Sequence, residues 1–132
     1  MLHVLLIEDS PADVLMVREA IRTYSVTSDL IIAYDGEEVL RFITEFHFKP
    51  DMFFLDLNVP NFNSFEFLEY VRASQGPPVV VLTGSANPED KQRSLESGAT
   101  EYIVKPSNID EFMEVVREAV GRWGRQAAAR GL

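Results

Sequence analysis

The chain has no cysteine, so neither a disulfide framework nor a thiolate metal centre is available to it. It also lacks an apolar run long enough to cross a bilayer, and no basic leader precedes the first apolar segment, so neither a membrane span nor a targeting peptide is expected. Positive charge is scarce: 12 Lys and Arg face 21 Asp and Glu, giving a formal net charge of −9. A body this acidic repels nucleic acid phosphates, so direct DNA or RNA binding is not expected either. Arg117, Arg122, Arg125 and Arg130 gather against this trend near the end, and they read as a solvated helix terminus, where basic side chains suit the macrodipole. There is no internal repeat, low-complexity stretch or interdomain linker. The two histidines, His3 and His47, are isolated and carry no assigned role.

What is present is ordinary for one globular domain: 132 residues, 46% hydrophobic and 25% charged. The expected division is a domain over 1–123 and a tail over 124–132, in a soluble, cytoplasmic protein without an output domain. The most informative stretch is Met52-Phe53-Phe54-Leu55-Asp56-Leu57-Asn58-Val59-Pro60. Its unbroken apolar start reads as a strand covered on both faces, as in a parallel sheet, and the proline stops its continuation. Alone, Asp56 is equally well explained as a turn or capping acid.

The rest of the chain repeats this pattern. His3 to Ile7 is a strand ending in Glu8-Asp9, and Ser10-Pro11-Ala12-Asp13 starts a helix with cap, N1 proline and acidic first turn. Leu30 to Ala33 is a strand, and Asp35-Gly36 opens a helix whose Val39, Leu40, Ile43 and Phe46 are expected to face inward. A third helix carries Phe67, Leu68 and Val71. The strand Val79 to Leu82 stops on Thr83, and a fourth helix runs from the Asn87 cap to a stop at Gly98. Tyr102 to Val104 is the fifth strand, ending at Lys105-Pro106. Ser107-Asn108 caps a last helix with Ile109, Phe112, Val115, Val116, Ala119 and Val120 on one side. Five strands alternating with five helices imply a parallel, doubly wound α/β sheet with right-handed crossovers.

In such sheets ligands bind beyond the carboxyl ends of the strands. The strands deliver Glu8, Asp9, Asp56, Thr83 and Lys105 to that edge. Carboxylates about 4 Å apart repel by on the order of 4 kcal/mol per pair at an effective dielectric near 20, so either their pKa values rise or a cation joins them. Oxygen ligands favour a hard cation such as Mg2+. Beside it, a lysine and a hydroxyl complete a set suited to a phosphoryl group, with Asp56 as nucleophile.

Glu8-Asp9, Asp56 with Asn58 and Pro60, Thr83-Gly84, Tyr102 and Lys105-Pro106 resemble, in order and spacing, the receiver domain of two-component response regulators. The stretches Ile7 to Asp13 and Leu55 to Pro60 look most like stand-alone receivers associated with bacterial phytochromes. The resemblance implies a flavodoxin-like sheet of strand order 2-1-3-4-5, the order for which the chemotaxis receiver is a standing example. It implies phosphorylation of Asp56 by a partner histidine kinase, a bacteriophytochrome in that subfamily. Mg2+ would be bound by Asp9, Asp56 and the Asn58 carbonyl, with Glu8 acting through water. It further implies a switch pair, Thr83 and Tyr102, control of acyl phosphate lifetime at Asn58 and Ser85, and an output surface on the fourth helix, fifth strand and fifth helix, used for partner contact or a homodimer. Such a protein processes only its own phosphoryl group.

One departure stands out. Where the family commonly has Asp-Gly before the third helix this chain has Asn63-Ser64, and serine adopts some glycine conformations poorly, which leaves the loop after Asp56 open. Phe62 is expected to pack under the third helix, and Trp123 fits either the domain or a partner. Two other readings remain: a receiver-shaped scaffold that no longer cycles phosphate, and a haloacid-dehalogenase-type phosphatase, whose signature wants an Asp where this chain has Asn58.

Overall fold

The computed structural model describes residues 1–24, 27–47 and 49–124. Five strands, β1 (Leu2–Ile7), β2 (Ser28–Ala33), β3 (Met52–Leu55), β4 (Val79–Thr83) and β5 (Glu101–Val104), form one parallel sheet of order β2-β1-β3-β4-β5. Helices α1 (Pro11–Arg22), α2 (Gly36–Thr44), α3 (Ser64–Ala73), α4 (Pro88–Ser97) and α5 (Ile109–Ala119) alternate with them. This is the flavodoxin-like arrangement the alternating pattern and the resemblance implied.

Helix starts follow the local chemistry. Ser10, Asp35, Asn63, Asn87 and Asn108 each hold an extended backbone and accept a hydrogen bond from an amide in the first turn, which satisfies one otherwise orphaned donor. Gly98 closes α4 with φ +119°, a left-handed conformation that a Cβ would strain.

The period of two along each strand divides the core. Leu2, Val4, Leu6, Met52, Phe54, Val80 and Leu82 pack on one face with Val14, Val17, Ala20, Phe112, Val116 and Ala119 of α1 and α5. Leu5, Ile7, Phe53, Leu55, Val79 and Val81 pack on the other with Val39, Phe67, Leu68 and Val71 of α2 and α3. All of these are buried, and each large one contributes about 1.5–3 kcal/mol by leaving water.

Three expectations about helix faces fail. Leu40 is 61% exposed and Phe46 60% exposed. Val39, Phe42 and Ile43, at i, i+3 and i+4, occupy the stripe that meets the sheet, Leu40 falls one step round the helix, and Phe46 lies beyond its end at Thr44. Ile109, the first residue of α5, is likewise exposed, while Phe112, Val116 and Ala119 carry the contact.

After α5 a π-helical turn, Val120–Gly124, brings the chain back under the sheet. Trp123 Nε1 donates to Glu101 Oε1 at 2.7 Å, and Arg122 bonds the same carboxylate, so Trp123 packs on the domain. Gly124 is buried, and a Cβ there would meet Leu2 at 3.0 Å. The rest of the expected tail, with Arg125 and Arg130, lies outside the described residues. Among the described residues no helix is long and apolar enough to cross a membrane.

Candidate functional site at the carboxyl edge of the sheet

The backbone ladder runs one residue past the strands: Glu8 N donates to Ala33 O at 3.0 Å, Asp56 N to Ile7 O at 3.0 Å and Lys105 N to Thr83 O at 2.7 Å. These bonds fix three functional residues at the sheet's edge. Parity then sorts them. Glu8 continues the series Val4, Leu6; Asp56 continues Met52, Phe54; Lys105 follows Ile103. All three therefore fall on the α1 and α5 side. Thr83, continuing Val79, Val81, falls on the opposite side, where Tyr102 packs.

The charged set is in direct contact. Lys105 Nζ lies 2.7 Å from Glu8 Oε2, 2.9 Å from Asp56 Oδ2 and 2.6 Å from Asp13 Oδ2. Glu8 Oε1 accepts from the amides of Asp9 and Ser10. Asp56, 6% exposed, turns Oδ1 back to accept from Asn58 N at 3.2 Å, which shapes the first turn of the following loop. Burial pushes the Glu8 carboxyl up to about 7, against the pull of its Lys105 and Ser10 hydrogen bonds. Burial also acts to raise Asp56, but Lys105 and the Asn58 amide outweigh it and hold Asp56 below the usual carboxylate range. Burial opposes the charge of Lys105, yet its three carboxylate partners raise its pKa well above the ordinary value. Lys105 thus favours the ionised form of Asp56, while burial favours the protonated form of Glu8.

Asp13 was legible in the sequence only as a first-turn helix acid. Its place beside Lys105, 92 residues away, could be found only once α1 was docked against the fifth strand.

Carboxylate oxygens of Glu8, Asp9 and Asp56 lie within 4.8 Å of one another, with Asp9 exposed and the other two buried. This all-oxygen group, open to water on one side, fits a hard divalent cation.

The second set is built from hydroxyls. Ser85 N donates to Thr83 Oγ1 at 3.4 Å, Ser85 Oγ donates to Asp90 Oδ2 at 2.6 Å, and Tyr102 OH donates to Ser85 O at 2.7 Å. Tyr102 is thus turned toward the loop before α4. Burial raises the Tyr102 pKa, against the pull of its Ser85 hydrogen bond, and the Asp90 and Asp56 carboxylates add to the shift.

The loop after Asp56 needs no glycine at position 64. Asn63 is the α3 cap, Ser64 is the first helical residue, and the left-handed residue is Asn61, φ +55°. The close approach has moved to Gly36: its amide donates to Pro60 O at 3.3 Å, and a Cβ there would sit 2.0 Å from Asn61 O. Phe62 packs on Phe67 of α3, ring centroids 5.3 Å apart, as expected.

Comparison with known proteins agrees with this geometry. Residues 4–117 match the family model for the response regulator receiver domain. The chain is 33% identical to response regulator Rcp1 of Synechocystis sp., over 91% of this chain and 87% of that protein. It is 35% identical to the transcriptional regulatory protein KdpE of Mycobacterium tuberculosis over 90% of this chain, and spans about half (51%) of that longer relative. The Mn2+-bound crystal structure of Rcp1 superposes with a TM-score of 0.82, at 32% identity and covering 94% of this chain and 95% of that one. The phosphorylated cyanobacterial phytochrome response regulator RcpA superposes with a TM-score of 0.83, at 28% identity and 92% coverage of each. The match runs from the first strand into the last helix and takes in the whole carboxyl edge, so the chain belongs to the response regulator receiver domain family.

Proposed function

We propose that this chain is a stand-alone response regulator that accepts a phosphoryl group on Asp56 from a phosphohistidine of a partner kinase, and that the kinase is a bacterial phytochrome. The carrying observation is the buried Asp56 carboxyl held 2.9 Å from the Lys105 ammonium at the carboxyl edge of the sheet. Rcp1, a response regulator matched over 87% of its own length, supports the stand-alone reading, and RcpA, a phytochrome response regulator seen phosphorylated, supports the kinase class.

An Asp56 oxygen attacks phosphorus, the bond from phosphorus to the kinase histidine breaks, and Lys105 meets the transferred oxygens as a point charge. Asp9, Asp56 and the Asn58 carbonyl would hold Mg2+, with Glu8 acting on it through water, and the ion would offset the carboxylate and phosphoryl charge. The Thr83 hydroxyl turns toward a phosphoryl oxygen and Tyr102 keeps or loses its Ser85 bond accordingly, which passes a charge event to α4, β5 and α5. That surface then meets a partner or a second copy of the chain. Asn58 and Ser85, on the loops either side, set how fast the acyl phosphate hydrolyses. The protein turns over no substrate besides this phosphoryl group, works in the cytoplasm through its 1–123 body, and at net charge −9 contacts no nucleic acid directly.

Intact-mass analysis after incubation with acetyl phosphate and Mg2+ tests the reading. Wild type should gain the mass of one phosphoryl group and Asp56→Asn should not. Equal labelling of the two removes Asp56 as the acceptor.

A further inference from the structure

An ammonium group has three donors, and Lys105 spends all three, on Glu8, Asp13 and Asp56. An anion arriving at Asp56 therefore gains Lys105 only by displacing a partner. The three partners are unequal. The Glu8 side chain is 2% exposed and its other oxygen is tied to two backbone amides, so it is held in the interior beside Lys105 and has no path to exchange the ammonium for bulk water. Asp56 carries the incoming group. The Asp13 side chain is 22% exposed, and it stands in the first turn of α1, where water and the helix N-terminus both favour a free carboxylate.

We infer that Asp13 is a positioning residue that occupies the Lys105 donor a phosphoryl oxygen takes, so that the Asp13–Lys105 contact and a phosphoryl group on Asp56 exclude one another. Asp13 keeps the ammonium aimed into the site while Asp56 is free, and it weakens the hold of that ammonium on the phosphoryl group. This rests on the phosphoacceptor reading above. It assigns the acid a role that its place as a helix first-turn residue does not require.

Beryllofluoride with saturating Mg2+ is the probe, followed by titration of the bound 19F signal. Asp13→Asn should bind it roughly five- to tenfold more tightly than wild type, the scale of one ordinary net hydrogen bond. A through-space charge effect would persist without the ammonium, whereas direct competition disappears, so Asp13→Asn should make no difference in a Lys105→Met background. Independently, the 13C resonance of the Asp13 carboxyl in wild type should move when beryllofluoride is added, as the side chain passes from Lys105 to water. Wild type that binds no beryllofluoride overturns the phosphoacceptor reading itself. Wild type that binds it, with Asp13→Asn no tighter, with an equal gain in the Lys105→Met background, or with an unmoved Asp13 resonance, overturns the role of Asp13 alone.

Discussion

The two sides of the carboxyl edge are held together by different chemistry. On the α1 and α5 side, Glu8, Asp13 and Asp56 are joined through the Lys105 ammonium in a largely buried group. On the opposite side, Thr83, Ser85, Tyr102 and Asp90 are joined by hydrogen bonds of hydroxyls and one amide. A buried charge released without a partner costs several kcal/mol, while a hydroxyl bond exchanges for another at a net cost near 1 kcal/mol. The first group is suited to storing an imbalance, and the second to rearranging when that imbalance changes.

The largest expected effect is on the charged side. Burial raises folded Glu8 from 4.5 to about 7, so the native state holds this proton more tightly than the unfolded chain. The stabilisation is complete below about pH 4.5 and is lost as pH rises through about 7. In metal-free protein, urea midpoints converted to free energies should fall over that window by on the order of 3 kcal/mol. Asp56 works in the reverse sense: its pKa is lowered, so its contribution is present above its unfolded value of 3.8 and is lost on further acidification. Glu8→Gln should remove the fall between pH 4.5 and 7 and leave the acid limb. Added Mg2+, which favours ionised Glu8, should raise the melting temperature more at pH 8 than at pH 5. A flat wild-type profile would mean that the charged group is balanced without metal.

The hydroxyl side should respond less and without that pH signature. Ser85→Ala removes the bonds to Asp90 and to Asn87 N and keeps the backbone carbonyl that Tyr102 uses. A loss of about 1 kcal/mol is expected, with a pH profile parallel to wild type. A changed slope between pH 4.5 and 7 would show that the two groups titrate as one, and the comparison would collapse.

How much of this was legible in the chain follows from the same division. Strand ends can be read from apolar runs that stop on a polar residue, which gave Glu8, Asp56, Thr83 and Lys105 without coordinates. Caps such as Ser10, Asn87 and Asn108 are local and were equally plain. Asp13 was not, because its local explanation as a first-turn acid was sufficient and its second partner lies 92 residues away. Leu40 and Phe46 misled for a related reason: helical spacing counts apolar residues but does not say how wide a stripe the sheet will cover. Strand order came from family resemblance, since alternation alone allows several parallel orders. The place of the loop glycine also depended on tertiary contact, with Gly36 rather than position 64 meeting the Asn61 backbone.

The smallest effect sharpens the comparison by isolating a hydroxyl that has no partner. Ser64 is 3% exposed at the start of α3, close to the loop that follows Asp56, and among the described residues its Oγ bonds to nothing. A buried hydroxyl without a partner has lost its hydration and gained nothing in return. Asn63 already supplies the cap by accepting from Glu66 N, and Ser64 has an ordinary helical backbone, outside the positive-φ residues. Alanine at this position should therefore keep the geometry, favour the helix by intrinsic propensity and stabilise the protein by up to about 1 kcal/mol in urea titration. Ser85→Ala, the same chemical change one loop away, should destabilise by a similar amount. Opposite signs for the two serines would establish that hydroxyls at this edge matter through their partners. A loss at Ser64 as large as at Ser85 would instead mean that a bound water or ion completes its bonding.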